Sequence, residues 1–285
     1  MWNGGLVKIG VSAFAWTSAM RVSNLNLVQK VGDYGFDAFE IPMADPMDLP
    51  VAALRGAFEA NALDCTICAL LPEGINPISP DSGMRRRSLV HLSDCVKIAR
   101  DIGAHLLGGP LLSPIGFLPQ HRPTAHEWEW AVEALQSISD LLDEADLTLS
   151  IEPVNRSETF LIRTAADARK LCDKVAHPRV GVTIDTFHAN IEEKSIPAAL
   201  ETLGSQLKHL HLSENDRGLL GTGHIDFPEI LRAAIRMQYD GYLMLEGFGF
   251  SQDEPSAPGA LWADESLSPE EFALQGLVYI RDLIH

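Results

Sequence analysis

Short apolar runs rich in β-branched residues recur along the chain, and between them the apolar positions fall at helical spacing. The pattern predicts eight strands: Lys8 to Phe14, Ala38 to Met43, Cys65 to Leu71, His105 to Leu111, Leu147 to Pro153, Val180 to Thr186, Leu207 to Ser213 and Gly241 to Gly247. Their starts lie 27 to 42 residues apart, the length of a strand, a crossover helix and a return. Helices are predicted over Leu25 to Tyr34, Met84 to Ile102, Glu127 to Ala145, Ala165 to Val175, Pro228 to Met237 and Pro269 to Leu283. Strand and helix alternate without a linker rich in Pro, Gly or Ser. This predicts one α/β domain over residues 1–285, closed as a (β/α)8 TIM barrel rather than left as an open sheet. The longest interruption, Gly249 to Ser266, is expected to form a rim loop or an oligomer contact.

Composition changes this picture little. The 285 residues are 46% apolar and 21% charged, enough for a sizeable core. Charge narrows the partners: 22 Lys+Arg against 39 Asp+Glu give a net charge of -17, which repels nucleic acid and anionic lipid. The one basic run, Arg85 to Arg87, reads as a solvated helix face. Without a leader-like N-terminus or an apolar run of about 20 residues, a cytoplasmic protein is expected. Cys65 and Cys68 share a predicted strand, where an offset of three sends them to opposite faces, so reduced structural thiols are expected. Neither a Gly-x-Gly-x-x-Gly nor a Gly-x-x-x-x-Gly-Lys-Ser/Thr motif is present, which disfavours nicotinamide and nucleotide chemistry.

In such a barrel, polar groups at the C-terminal strand ends point into the mouth. The fifth predicted strand ends in Glu152, the sixth in Asp185 and His188, the seventh carries His209 and His211 before Glu214, and the eighth ends in Glu246. Four successive strands therefore each deliver a carboxylate or imidazole at one height. Three oxygen ligands and one imidazole suit Mn²⁺, Mg²⁺ or Co²⁺ and leave positions open for a chelating substrate. His209 shares strand parity with His211, so both can face inward.

These segments carry a family resemblance. Ile151-Glu-Pro-Val-Asn-Arg-Ser-Glu-Thr159, Asp185-Thr-Phe-His-Ala-Asn-Ile-Glu-Glu193, His209-Leu-His-Leu-Ser-Glu-Asn-Asp-Arg-Gly218, Gly221-Thr-Gly223 and Glu246-Gly-Phe248 resemble the sugar isomerases and epimerases with a xylose-isomerase-like barrel. The resemblance is strongest to ketose 3-epimerases, which include D-tagatose and D-psicose (allulose) 3-epimerases. It implies that Glu152, Asp185, His211 and Glu246 bind one divalent metal ion, with Mn²⁺ favoured and Co²⁺ or Mg²⁺ as alternatives. It implies that Glu152 and Glu246 also act as the acid/base pair, passing through a cis-enediolate, and that Glu158, His188 and Arg217 hold the sugar. A homodimer or homotetramer is implied as well.

The N-terminal half departs more from the pattern, with Ala69-Leu70-Leu71-Pro72-Glu73 after the third strand. Phe14, Trp16, Leu111 and Phe248 are expected to wall the pocket. The departure leaves open an aldose-ketose isomerase, a hydroxypyruvate isomerase or an inosose dehydratase. An endonuclease IV-like hydrolase would call for more histidines and a positive surface, and a non-catalytic sugar-binding protein would have no use for two such carboxylates.

Overall fold

The computed structural model describes residues 7–249 and 267–284. Strands β1 (Lys8–Ser12), β2 (Ala38–Met43), β3 (Asp64–Ala69), β4 (Leu106–Gly109), β5 (Thr148–Ile151), β6 (Val180–Asp185), β7 (Leu207–Leu212) and β8 (Tyr242–Leu245) lie in sequence order and close into a barrel, every pairing parallel. Helices α1 (Asn26–Tyr34), α2 (Val51–Asn61), α3 (Ser82–Ile102), α4 (Ala125–Gln136), α5 (Ser139–Ala145), α6 (Ala165–Val175), α7 (Thr186–Glu192), α8 (Ile196–Leu203), α9 (Phe227–Arg236) and α10 (Pro269–Ile284) complete the order. This is a TIM barrel. Among the described residues no helix is long and apolar enough to cross a membrane.

Local chemistry sets the boundaries. Thr124 and Thr164 open α4 and α6 with capping boxes, their hydroxyls accepting from the N–H groups of Glu127 and Asp167. Gly35 and Gly103 close α1 and α3 in the left-handed region, which a residue without Cβ enters freely. One helix predicted over Glu127 to Ala145 is two, α4 and α5. The Ser137 and Ser139 hydroxyls donate to the carbonyls of Ala134 and Leu135 at 2.7 and 3.1 Å, and side-chain competition of this kind breaks the helical ladder. The pattern also passed over α2, α7 and α8.

Outward residues of the strands pack under the helices: Phe39, Ile41 and Met43 from β2 are fully buried in the main core. The barrel interior, by contrast, is polar at mid-height. Glu40, Thr66, Ser150, Thr183 and His209 are all buried there, and each polar group meets another, on the neighbouring strand or, for Glu40 and His209, across the barrel. Ser150 and Thr183 hydroxyls lie 2.7 Å apart, and Thr66 Oγ1 donates to Glu40 Oε2 at 3.3 Å. At the upper rim Gly109 has φ 122°, and a Cβ there would stand 2.2 Å from the Ala69 carbonyl oxygen. Only glycine lets β4 end against β3 in this way.

Cys65 joins the main core, while Cys68 joins Phe14 and Phe248 in a separate apolar cluster, in keeping with opposite faces of β3. All four cysteines are free and buried. The predicted rim stretch Gly249 to Ser266 lies, apart from Gly249, outside the described residues.

Candidate active site

A cleft with a cavity of about 160 Å³ opens at the C-terminal end of the barrel. Phe14, Cys68, Leu70, Pro110, Val154 and Phe248 give it an apolar wall, and Glu152, Glu158, His188, Arg217 and Glu246 give it polar groups. Asp185 ends β6, and His211 lies on β7. Glu152 and Glu246 stand one residue past β5 and β8, so carboxylates from strands three apart enter the cleft from different sides.

The predicted wall is only partly found. Phe14 and Phe248 stack with ring centroids 4.9 Å apart and line the cleft. Trp16 does not: it packs edge-on against Phe39, and its indole Nε1 donates to Glu270 on α10 at 3.1 Å. Leu111 is fully buried in the main core and borders, with Pro110 and Glu152, a smaller pocket beside the cleft, while Pro110 lines the cleft itself.

At the floor, His211 Nδ1 lies 3.5 Å from Glu152 Oε1 and 3.4 Å from Glu246 Oε1. It is buried without a hydrogen-bond partner. Burial resists charge on this ring, but Glu40 and Glu246 hold its pKa well above the ordinary value. Glu246 moves up because burial disfavours its anion more than His211 and Arg217 favour it. Buried carboxylates thus flank an imidazole nitrogen that lacks a hydrogen bond, with no thiolate among them, a donor set that suits a divalent cation preferring oxygen and nitrogen.

The close groups among the described residues divide the predicted ligands: His211 falls with Glu40 and His209, and Glu152 and Asp185 fall with His188, the ligand atoms of each group lying within 4.8 Å of one another. Hydrogen bonding argues against His188 as a ligand. Its Nδ1 accepts from the Asn155 side-chain amide at 2.9 Å and from the Asn155 backbone N–H at 3.3 Å, so in the neutral ring Nε2 carries the proton. Burial lowers its pKa to about 3, with Asp185 opposing and Arg217 assisting, so the ring is neutral. His188 Nε2 is thereby a donor, 3.6 Å from Asp185 Oδ2 and 3.5 Å from Arg217 Nη2.

Arg217 spans the site. Its Nη1 donates to Asp185 Oδ2 at 2.8 Å, Ser213 Oγ at 2.8 Å and Glu246 Oε2 at 2.9 Å, and its guanidinium lies 3.9 Å over the Phe187 ring and 4.8 Å over that of Phe248. The residue sits at φ 62°, in the left-handed region. Buried Glu214 builds the loop that holds it there, accepting from the N–H groups of Gly221 at 2.9 Å and Ile225 at 3.2 Å. Glu158 is partly buried, its carboxyl pushed up by burial and bonded by Asn155 at 2.8 Å.

Sequence reasoning did not single out Glu40 or Asn155. Asn155 lay inside the matched motif. Glu40 is the lone charge in the apolar run Ala38-Phe-Glu-Ile-Pro-Met43, and that isolation was the available signal. Its Oε2 accepts from His209 Nε2 at 2.9 Å, and its Oε1 lies 3.0 Å from His211 Nε2, close but off the hydrogen-bond line. Burial raises its pKa, but His211 and His209 outweigh that and hold the carboxyl well below the usual range.

The model of the xylose isomerase-like TIM barrel family matches residues 28–268. A D-psicose 3-epimerase from Ruminiclostridium cellulolyticum is 30% identical over 270 residues, 93% of this chain and 92% of that one. A probable ketose 3-epimerase from Synechocystis sp. is 28% identical over 275 residues, 96% of each chain. Among solved structures, an L-ribulose 3-epimerase superposes with a TM-score of 0.91 at 27% identity, covering 98% of this chain and 95% of its own. The chain belongs to the xylose isomerase-like TIM barrel family.

Proposed function

We propose that this protein is a metal-dependent ketose 3-epimerase acting on free ketoses. The observation that carries the reading is the pair of carboxylates, Glu152 and Glu246, that meet from different sides of the barrel at the unpartnered His211 Nδ1. Relatives of similar length named for D-psicose and for ketoses in general support the substrate class.

Glu152, Asp185, His211 and Glu246 would hold the cation, which would withdraw electrons from the ketose carbonyl and so acidify the neighbouring C3–H. A C3 proton is too weakly acidic for an unaided carboxylate, so this polarisation and the fixed charge of Arg217 both bear on the oxyanion that develops. One of Glu152 and Glu246 removes the proton on its side of the sugar, leaving a cis-enediolate. The other returns a proton from its own side, which inverts C3 without any base changing faces. His188, a neutral donor, and Glu158 hold sugar hydroxyls. Phe14 and Phe248 keep water from the reacting carbon and pack on the sugar's apolar face.

The cation is assigned as Mn²⁺, with Co²⁺ or Mg²⁺ able to replace it. The assembly is proposed as a homodimer or homotetramer, supported by the exposed apolar pair Leu274 and Val278 one turn apart on α10. The test is turnover after chelator treatment: D-psicose, L-ribulose and other free ketoses, offered with each ion in turn. C3 epimers formed only with metal support the reading. Aldose products instead would make the protein an isomerase of the same barrel.

A further inference from the structure

We infer that Glu40 is the positioning residue that decides which edge of His211 faces the candidate metal site. The inference rests on the metal-dependent reading above and goes beyond it, since Glu40 touches neither the cleft nor the other candidate ligands.

Three observations carry it. First, Glu40, His209 and His211 form a group within the barrel, each at most 1% exposed and so shielded from bulk solvent. Second, an ionised carboxylate only accepts. Glu40 therefore favours a proton on Nε2 of both rings: on His209, where the 2.9 Å bond is aligned, and on His211, where Nε2 stands 3.0 Å away. Third, once a cation displaces the Nδ1 proton, a ring kept protonated at Nε2 presents its lone pair at Nδ1, and Nδ1 of His211 is the atom facing Glu152 and Glu246. The carboxylate beneath the ring thus selects the tautomer and turns the ring upward. A negative charge on the far edge also makes Nδ1 a better donor to a cation. Thr66 Oγ1 donates to Glu40 Oε2 at 3.3 Å and fixes the carboxylate in turn.

The same three side chains come within 4.8 Å of one another and could in principle chelate an ion themselves. The aligned His209 bond already occupies Glu40 Oε2, and the group has no opening to solvent, so we assign it to support of His211.

The test measures ion binding without sugar, so a protein that binds metal but turns over no ketose would bear on the proposed function alone. Titration of metal-free Glu40→Gln with Mn²⁺ is expected to give affinity about 10–100-fold weaker than wild type. Equal affinity in a folded variant, even one of lower thermal stability, would reduce Glu40 to a structural role and overturn the inference. Should the variant not fold, wild-type protein labelled with ¹⁵N-histidine and loaded with ¹¹³Cd²⁺ gives an independent answer. One ion coupled to Nδ1 of His211, with Nε2 protonated, is expected. Coupling to Nε2, a second ion on His209, or no Cd²⁺ bound would each overturn it.

Discussion

Arg217 Nη1 donates to Glu246 Oε2 at 2.9 Å, placing a buried cation against a carboxylate proposed to bind metal and move a proton. The same nitrogen serves Asp185, so without it two carboxylates face one another away from water. Removing one partner of a buried ion pair costs about 3–5 kcal/mol. Arg217→Ala is therefore expected to lose about that much stability in metal-free urea denaturation, with Mn²⁺ restoring part of it. Arg217→Gly should retain about 1 kcal/mol more than the Ala variant, because φ 62° strains any residue with a Cβ.

Glu246→Gln keeps the shape of the side chain and removes its proton chemistry. Its turnover is expected to fall about 10²–10⁴-fold while the fold, followed by circular dichroism, persists. Unchanged turnover would remove the two-base scheme.

Gly109→Ala tests how the rim positions Glu152, whose backbone N–H donates to the Gly109 carbonyl at 3.1 Å. The added Cβ meets the Ala69 carbonyl oxygen at 2.2 Å, a backbone atom that cannot swing aside. A loss of about 2 kcal/mol or more is expected, together with lower turnover.

At the opposite end of the barrel, burial raises the Asp64 pKa, but its bonds from Lys8 and from the Tyr242 hydroxyl at 2.7 Å outweigh that and bring it below 3.8. A folded value below the unfolded one stabilises the protein above pH 3.8, and the contribution is lost as pH falls through the folded value. Asp64→Asn should cost about 0.5–1 kcal/mol at neutral pH, a figure held down by solvent around the pair. Urea denaturation should show the gap closing as the solution is acidified.

The strand rhythm and the acidic strand ends were legible because each is a local pattern: a short β-branched run, then a polar residue at its end. Glu152, Asp185 and Glu246 could be read without knowing their partners. Glu40 could not, because a carboxylate in mid-strand reads as a desolvation cost until His209, 169 residues away, is brought against it. Trp16 and Leu111 were hard to place for a related reason: proximity to a strand end does not say which way the chain turns next. In α2, Gly56 and the short run Val51-Ala-Ala-Leu obscured a helix held by packing of Leu54 and Phe58.

The most direct test of the central claim follows C3 itself. Mn²⁺-loaded protein is incubated with D-psicose and other free ketoses in D₂O, and deuterium and configuration at C3 are read by NMR. The account predicts C3 epimers carrying solvent deuterium, formed with metal and absent after chelation. Metal-loaded, folded protein that exchanges no C3 proton in any ketose, or an epimer formed without deuterium, would contradict it.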